Sequence, residues 1–406
     1  MNGSMTGPTT AAPTARFDVA IVGLGAMGSA AAAHLAARGV SVIGFDAYHP
    51  AHGLGSSHGD SRLIRLGYFE DPSYVPLLQR AYANWRALEG RLRDEILTIT
   101  GVLQIGLPDS KIVSGTLKSS DMYGLASETL DAAALRARHP AFAIDDDEIA
   151  VLDPQGGYLR PEAAVMGHVK LAVADGAVLH FGEKVTAIRP QAEDITVETA
   201  TGRYSVGRVI VATGSWITDL VPDLAGKAMP IKQVVAWYQP ADGFLTTPQR
   251  MPAFIRDEGE DGSYFGFPAI GVDGVKVGRH AHFMEEIDPH APNPPVNARD
   301  TDLLDAFVRR RLPTAAGLRV RATTCRYTML PSEDFLIDLL PSDPRIVIAS
   351  PCSGHGFKFT SVVGEILADL ALDGGTRLPI GAFSFEAMNR FIAARGTRAE
   401  LENPTL

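Results

Sequence analysis

The sequence predicts an α/β protein, α+β overall, and three observations carry this prediction. An apolar run, Phe17–Val22, is followed at once by a glycine-rich turn and a run of alanines, which is the order strand, turn, helix. The same order returns late in the chain, where Arg345–Ala349 precedes Gly354–Phe357 and an apolar stretch to about Leu372. Many short β-like segments lie between. We therefore expect one unit assembled from separate parts of the chain, with a second unit inserted.

The length and net charge of the chain limit the kinds of protein that it can be. With 406 residues the chain is too long for one simple core and suits two domains, either consecutive or interleaved. The net charge of −10 and the lack of a basic run with aromatics argue against nucleic acid or anionic membranes as partners. No apolar run approaches the roughly 20 residues of a membrane-spanning helix. The start, MNGSMTGPTTAAPTAR, lacks the apolar middle of a signal peptide. We expect a cytoplasmic protein with a flexible tail at residues 1–16.

The N-terminal half alternates helices and strands. Met27–Arg38 is rich in helix formers and stops at Gly39, and Val40–Phe45 is the next strand. Two more helices are expected at Pro72–Leu92 and Pro161–Asp175, the first from its amphipathic spacing and the second from proline at its start. Four short strands should then form a β-meander. They are Val178–Phe181, Val185–Ile188, Ile195–Thr199 and Arg208–Val211.

The pattern of predicted secondary structure changes between residues 231 and 325. Gln233–Gln239 and Gly274–Arg279 are predicted strands, and Thr301–Leu312 is a predicted helix. Asp288–Asp300, rich in proline and asparagine, is expected to be a surface loop. This region is the predicted insertion.

The first turn has the spacing of a dinucleotide-binding motif, Gly23-x-Gly25-x-x-Gly28. Glycines at this spacing allow a tight turn, close approach to a pyrophosphate and close packing of helix on strand. The helix N-terminus then offers N–H donors to the phosphates. Asp46, at the end of the next strand, suits a ribose hydroxyl. If the glycines served only packing, Asp46 would be unexplained, but the motif leaves FAD and NAD both open.

The two cysteines, Cys325 and Cys352, do not form a disulfide framework, a CxxC pair or a metal-ligand spacing. We predict no metal site. A lone cysteine is most often a small buried hydrophobe, and for Cys352 we keep that interpretation.

Five motifs, in order, resemble the family of monomeric sarcosine oxidase and N-methyltryptophan oxidase, and the similarity runs from about Phe17 to Leu372. The motifs are SHGDSRLIR (Ser57–Arg65), YFGFP (Tyr264–Pro268), VKVGRH (Val275–His280), TTCRYT (Thr323–Thr328) and SGHGFKF (Ser353–Phe359). The resemblance implies a Rossmann-like FAD-binding domain with an interleaved substrate domain built on a mostly antiparallel sheet. We place the first at 17–95, 155–225 and 330–390 and the second at 96–154 and 226–329. The resemblance also implies a monomer.

On the cofactor side, the resemblance implies FAD joined covalently to Cys325. The neighbouring Arg321 and Arg326 could favour the thiolate, the form that attacks the flavin. The remaining predicted FAD-binding residues, beyond the glycine turn and Asp46, are Ser57, His58, Arg62, Gly354, Gly356, Phe357 and Lys358.

On the substrate side, the resemblance assigns Arg65 and Lys358 to a substrate carboxylate, which suits a bidentate guanidinium beside a point charge. Lys276 matches a lysine that promotes reaction with oxygen, since a fixed cation stabilises developing negative charge. The predicted proton carriers or orienters are His58, His280 and Tyr327, and the predicted substrate contacts are Phe265 and Trp237. Two departures affect the substrate side: Phe265 stands where relatives often carry tyrosine, and RLGYFE (Arg65–Glu70) replaces RHAYGE.

The sequence thus predicts an FAD-dependent oxidase of secondary amino acids, either sarcosine or a bulkier N-methyl amino acid. Its products would be the amino acid, formaldehyde and hydrogen peroxide, and its partners a small secondary amine and oxygen. Three alternatives stay open: an oxidase of cyclic imino acids such as pipecolate, a flavin dehydrogenase that passes electrons to a carrier, and a non-catalytic FAD-binding redox sensor. An NAD-dependent dehydrogenase is weaker, because nothing in the last hundred residues indicates nicotinamide.

Overall fold

A computed structural model of the chain describes residues 16–395. The predicted tail at residues 1–16 therefore lies outside the described residues, apart from Arg16, which begins the first strand. Two eight-stranded sheets and a three-stranded sheet organise the described part. None of the helices described is long and apolar enough to cross a membrane.

The elements are numbered in chain order. The strands are β1 (Arg16–Val22), β2 (Val42–Asp46), β3 (Arg62–Ile64), β4 (Leu97–Ile99), β5 (Val102–Gly106), β6 (Glu128–Asp131), β7 (Ile149–Asp153), β8 (Gly157–Leu159), β9 (Val178–Phe181), β10 (Val185–Pro190), β11 (Ile195–Thr199), β12 (Arg203–Val211), β13 (Met229–Tyr238), β14 (Ala253–Asp257), β15 (Ser263–Ala269), β16 (Val275–Arg279), β17 (Arg319–Met329), β18 (Leu336–Leu340) and β19 (Asp343–Ser350). The α-helices are α1 (Ala26–Ala36), α2 (Val75–Leu92), α3 (Lys111–Tyr123), α4 (Ala132–Arg138), α5 (Pro161–Ala174), α6 (Ala298–Arg311), α7 (Thr360–Asp373) and α8 (Phe385–Arg395).

The first sheet contains the parallel βαβ unit that the opening motif predicts. Strands β9, β2, β1, β12 and β19 lie side by side in parallel. Helices α1, α5 and α7 pack together on this sheet, and the approach of α7 to α1 is so close that a Cβ at Gly364 would lie 2.6 Å from the Cβ of Ala30. The sheet is assembled from three separate stretches of chain, so its core depends on contacts between residues far apart in sequence.

One predicted element is corrected here. The β-meander contains only β10, β11 and β12, which pair antiparallel in order. The strand Val178–Phe181 instead pairs with β2 in parallel. The reason is that α5 precedes it, and a helix that crosses over a sheet returns the chain as a parallel strand.

The second sheet has the order β17-β13-β16-β15-β14-β5-β7-β6. All neighbouring strands are antiparallel except β14 and β5. Helix α6 packs on this sheet, with Phe307 stacked on Tyr264 at a ring distance of 4.0 Å. The small third sheet, β3-β8-β4, includes Arg62 at the start of β3.

The predicted fold class is therefore confirmed: a Rossmann-like unit and a mostly antiparallel sheet share one chain that passes between them. The boundaries proposed for the two domains stay predictions.

Candidate active site

A cavity of about 570 Å³ is lined by residues of both large sheets. The first sheet contributes the glycine turn and Asp46, and the second contributes Phe265, Cys325 and Tyr327. The chain segments that carry predicted chemistry therefore converge on one space. Among the described residues, no group of histidine, cysteine or acidic side chains has the arrangement of a metal site.

The glycine turn has the geometry that the motif predicts. Gly23 has a φ of +91°, a conformation that L side chains rarely adopt. A Cβ at Gly28 would lie 1.8 Å from the carbonyl oxygen of Gly23, so only glycine allows this packing. Gly25 lines the cavity and is the N-cap residue of α1. Because glycine has no side chain, it does not itself cap the N–H groups at the start of the helix. The N-terminus of α1 is thus presented to a ligand, and Gly28 serves the packing beneath it.

Asp46 lines the same cavity, at the end of β2. Its Oδ2 accepts a hydrogen bond of 2.8 Å from the backbone N–H of Leu24, and its Oδ1 accepts one of 2.9 Å from that of Tyr48. Each carboxylate oxygen can accept a second bond. The side chain is therefore held in place with acceptor capacity left for a ribose hydroxyl.

Several buried polar atoms that line the cavity lack a protein partner in the described part of the chain. They are the Oγ of Ser56, the Nε2 of His58 and the Oγ1 of Thr213. Buried polar atoms are nearly always hydrogen-bonded, so these three atoms indicate a polar ligand. Together with the glycine turn and Asp46, they fit a dinucleotide such as FAD.

The other predicted cofactor residues also line the cavity. They are Ser57, Arg62, Gly354, Gly356, Phe357 and Lys358. Ser57 accepts a hydrogen bond of 3.3 Å from the N–H of Ala26 through its Oγ, which ties the SHGDSRLIR segment to the start of α1.

Cys325 is buried on β17 and faces the cavity. The Nη2 of Arg62 lies 3.6 Å from its Sγ. Burial opposes ionisation, but a hydrogen bond from His58 and the charges of His58 and Arg62 outweigh it and lower the pKa of Cys325 to about 7. A substantial fraction of the thiol is therefore ionised near neutral pH. By contrast, burial raises the pKa of Cys352 to about 11.

The predicted source of this ionisation, Arg321 and Arg326, is corrected in part. Arg321 forms ion pairs with Asp60 and Asp273, and Arg326 donates to the carbonyls of Pro289 and Ala291. Arg321 lies on the same face of β17 as Cys325, four positions away, but its guanidinium is held by the two carboxylates. Arg326 is adjacent to Cys325 and points to the opposite face, so it has only a smaller effect on the thiol. The groups with the larger effect are His58 and Arg62, which are far away in sequence.

Arg65 and Lys358 are buried, at 1% and 4% exposure, and both line the cavity. Arg65 donates from Nη2 to Oε2 of Glu70 at 2.6 Å and from Nε to Oε1 of Gln104 at 3.1 Å. Lys358 donates from Nζ to the carbonyl of His355 at 2.6 Å and lies 5.2 Å from the centre of the Tyr68 ring. The structure therefore brings the predicted carboxylate-binding pair together.

Burial and neighbouring charges shift the pKa values of the groups around Arg65 and Lys358. Burial lowers the pKa of Lys358 to about 7, and the charge of Arg65 acts in the same direction. Burial also lowers the pKa of His355 to about 3, so this imidazole is neutral near pH 7. Burial opposes ionisation of Glu70, but the charge of Arg65 outweighs it and the pKa falls to about 2. Glu70 is thus the carboxylate already held by Arg65.

His280, Tyr327 and Phe265 lie together on the cavity wall. The rings of His280 and Tyr327 are 5.7 Å apart, and a Cβ at Gly354 would lie 2.7 Å from the Cε1 of His280. Burial lowers the pKa of His280 and raises that of Tyr327, so both are neutral near pH 7. They can form hydrogen bonds with a substrate but add no charge to its binding site.

Lys276 and Trp237 are placed differently, since neither is among the residues that line the cavity. Lys276 donates from Nζ to the carbonyls of Gly59 (2.6 Å) and Ser61 (2.9 Å), and the Oγ of Ser61 is 3.3 Å away. The ring of Trp237 lies under Lys276 at 5.4 Å and under Arg321 at 3.7 Å. The predicted contact of Trp237 with substrate stays a prediction, and its observed contacts are with two cations.

Burial lowers the pKa of Lys276 well below its usual value, and the charge of Arg62 acts in the same direction, whereas Asp60 raises it. The three oxygens around its Nζ match the three N–H donors of an ammonium group, whereas a neutral amine has two. On this geometry we assign Lys276 the protonated state.

Some participants were not singled out from the sequence. Gln104 and Glu70, the two side chains that accept hydrogen bonds from Arg65, are separated by 34 positions, and no local pattern marks Gln104 on β5. Tyr68 joins the site through a hydrogen bond of 2.6 Å between its hydroxyl and Nδ1 of His355. The only signal for Tyr68 and Glu70 was their place in the motif RLGYFE.

Comparison with known proteins decides the family. Residues 18–370 match the family model described as DAO, FAD dependent oxidoreductase. The chain belongs to this family. A monomeric sarcosine oxidase of Streptomyces avermitilis is 39% identical over 372 residues, which cover 90% of this chain and 96% of the relative. An N-methyl-L-tryptophan oxidase of Yersinia pestis is 36% identical over 370 residues, 91% of this chain and 98% of that protein.

The fold agrees with this family. The solved open form of NikD, described as an unusual amino acid oxidase essential for nikkomycin biosynthesis, superimposes with a TM-score of 0.79 at 27% identity. The superposition covers 91% of this chain and 98% of NikD. The protein is therefore an FAD-dependent oxidoreductase, and the cavity described above has the residues to hold that cofactor.

Proposed function

We propose that the protein is an FAD-dependent oxidase of secondary amino acids that uses oxygen as electron acceptor. The observation that carries the proposal is the buried pair Arg65 and Lys358 in the same cavity as the glycine turn and Cys325. The two relatives named above, one a sarcosine oxidase and one an N-methyl-L-tryptophan oxidase, support the substrate class. A monomeric state and a cytoplasmic location stay predictions.

Arg65 and Lys358 bind the carboxylate of the substrate. The guanidinium offers paired donors and Lys358 adds a charge, in a region from which water is largely excluded. The same two cations disfavour an ammonium group nearby, so they lower the pKa of the bound amine and help it lose its proton before oxidation. Neutral His280 and Tyr327 lie on the same wall to orient the amine.

Bound FAD would supply the redox chemistry, which is the removal of two electrons from the C–H bond next to the substrate nitrogen. Water then hydrolyses the imine, which gives formaldehyde when the oxidised carbon is an N-methyl group. Lys276 provides a fixed buried cation that stabilises negative charge as oxygen is reduced to hydrogen peroxide. The protein's part is to bind, orient and place charge.

We further propose that Cys325 holds the flavin through a thioether. Its pKa of about 7 and its position between His58 and Arg62 favour the thiolate that this bond requires. The C–S bond would replace one C–H bond of a flavin methyl group, and the proton would be lost to solvent. The two electrons released would reduce the flavin, which oxygen, the proposed acceptor, would then reoxidise. We expect the flavin of the wild-type protein to stay with the acid-precipitated pellet and that of Cys325→Ser to wash away. Intact mass should show the same difference. Cys352→Ser is the matched control and should keep its flavin, whereas a colourless wild-type pellet with an unmodified mass would contradict the link.

The pH dependence of carboxylate binding follows from Lys358. Only the protonated amine attracts a carboxylate, and its pKa in the free protein is about 7. The affinity for a simple aliphatic carboxylate inhibitor, which has no amine of its own to titrate, should therefore fall as pH rises above about 7. Competitive inhibition measured across pH checks this, and Lys358→Met should bind weakly with a flat profile. A wild-type affinity that rises with pH would contradict the assignment.

The proposal is tested by a panel of N-methyl and cyclic amino acids with peroxide detection. Sarcosine, bulkier N-methyl amino acids and pipecolate present the same carboxylate and amine, so the panel also separates a demethylating oxidase from a cyclic imino-acid oxidase. Flavin reduction by substrate without peroxide on admission of air would indicate a dehydrogenase. Inactivity on every compound would overturn the proposal and favour a redox sensor.

A further inference from the structure

The groups that face both Lys276 and Cys325 belong to residues 56–62, which are called here the 56–62 loop although the last of them, Arg62, begins β3. The carbonyls of Gly59 and Ser61 accept from the Nζ of Lys276, and Arg62 reaches the Sγ of Cys325. In the described part of the chain, the hydrogen-bond partners of Lys276 are all neutral oxygens of this loop. The position of the buried charge therefore depends on the position of the 56–62 loop.

The loop has a backbone conformation that requires support. Gly59 has a φ of +101° and Asp60 a φ of +69°. The second of these is uncommon for a residue with a side chain, and such conformations persist where surrounding contacts hold them. On one side the support comes from Glu162 in the first turn of α5, whose Oε1 accepts from the N–H groups of Gly59 at 2.5 Å and Asp60 at 3.2 Å.

On the other side the support comes from the second sheet. Arg321 on β17 forms an ion pair with the carboxylate of Asp60 and another, of 2.8 Å, with Asp273. Its guanidinium carbon lies 3.7 Å from the centre of the Trp237 ring, and Trp237 is only 2% exposed. The arginine is thus fixed by two carboxylates and one buried aromatic surface, which is more than an isolated exposed ion pair provides.

We propose that Asp60 and Arg321 are positioning residues, whose ion pair keeps the carbonyls of the 56–62 loop on the Lys276 ammonium group and so sets the rate of reaction with oxygen. Neither residue lines the cavity, so neither touches the reacting atoms. The negative charge of Asp60 also opposes the effect of burial on Lys276. The inference rests on the proposed role of Lys276 in the oxygen reaction.

The test uses Arg321→Gln and Asp60→Asn, because asparagine tolerates the left-handed conformation as well as aspartate does. The reaction of the prereduced enzyme with oxygen is measured separately from anaerobic reduction by substrate. We expect the oxygen rate constant to fall about five-fold in each variant, the effect of one supported ion pair. Anaerobic reduction should stay within about two-fold, because Arg65 and Lys358 are untouched.

Two comparisons separate positioning from general damage. The double variant should be no slower than either single variant, since both remove the same contact. Arg319→Gln, two residues away on β17, breaks the ion pair with Asp305 and is the matched control that should leave both half-reactions unchanged. Arg321→Lys, which keeps the charge, should recover part of the oxygen rate.

A readout independent of turnover is the cleavage of the purified protein after Arg62 by a protease specific for arginine. Cleavage requires local opening of the 56–62 loop together with the start of β3, which pairs with β8, so it should be about five-fold faster in Arg321→Gln and Asp60→Asn than in wild type or Arg319→Gln. Unchanged oxygen rates and unchanged cleavage, or an equal loss in both half-reactions, would overturn the inference.

Failure of the inference can be told from failure of the proposed function. If Lys276→Met leaves the oxygen rate at the wild-type value, the proposed oxygen site fails and this inference fails with it. If Lys276→Met is slow while Asp60→Asn and Arg321→Gln are both fast, only the positioning role is overturned.

Discussion

Arg65→Met is expected to lower kcat/KM for a secondary amino acid by about 10²–10³-fold, because truncation of one partner in a buried charged contact costs about 2–5 kcal/mol. The substrate carboxylate would lose its bidentate donor, and Lys358, with a pKa of about 7, cannot replace it alone. The measurement is the rate of anaerobic flavin reduction against substrate concentration. The oxygen reaction of the prereduced variant should stay close to wild type.

The control for this variant must consider Glu70. Arg65→Met leaves a partly buried carboxylate without its ion-pair partner, which can destabilise the fold on its own. Arg65→Met combined with Glu70→Gln removes that charge, and we expect the same loss of kcat/KM in the double variant. Arg80→Met, which breaks a surface ion pair with Glu365, should be silent. If the double variant regains wild-type kcat/KM, Arg65 does not bind the substrate.

Lys276→Met is expected to lower the second-order rate constant for oxygen by about 10²–10³-fold, the size of effect seen when one preorganised electrostatic group is removed from a site. Anaerobic reduction by substrate should change by no more than a few-fold, because Lys276 is bonded to Gly59 and Ser61 and the proposed carboxylate contacts, Arg65 and Lys358, stay in place. Rapid mixing of the prereduced enzyme with oxygen measures the rate constant for oxygen.

Lys276→Arg is the companion to this variant. It retains the positive charge beside the carbonyls of Gly59 and Ser61, so it should keep much more of the oxygen rate than Lys276→Met does. Equal rates in wild type and Lys276→Met would show that oxygen reacts elsewhere, or that another acceptor is used.

The parts of the fold that local sequence specifies were predictable. The first βαβ unit follows from an apolar strand, a glycine turn whose packing excludes any side chain at Gly28, and an alanine-rich helix. The pairing partner of Val178–Phe181 was not predictable from its own residues, because a short strand of four has no feature that distinguishes a meander from a crossover. What decided it was the helix before it, α5.

The candidate site was likewise predictable only in part. The residue types at Arg65, Lys358 and Cys325 came from motifs, and the structure brings them to one cavity. The contacts between side chains around the site could not be predicted, because the residues are far apart in sequence. Arg62 and Cys325 are separated by 263 positions, and Asp60 and Arg321 by 261. The prediction that Arg321 and Arg326 favour the thiolate of Cys325 missed its main causes, His58 and Arg62. Arg321 is held by Asp60 and Asp273, and Arg326 adds only a smaller effect.

The most direct test of the proposed function compares two amines that differ only in the carboxylate. The purified enzyme is mixed without oxygen with an N-methyl amino acid, and separately with the corresponding N-methylamine that lacks the carboxylate, and the flavin absorbance is followed before air is admitted. We predict that the amino acid bleaches the flavin and then yields formaldehyde and hydrogen peroxide in equal amounts, while the simple amine reacts at least about 10²-fold more slowly. Equal rates for the two amines, or no bleaching by any secondary amino acid, would contradict the account.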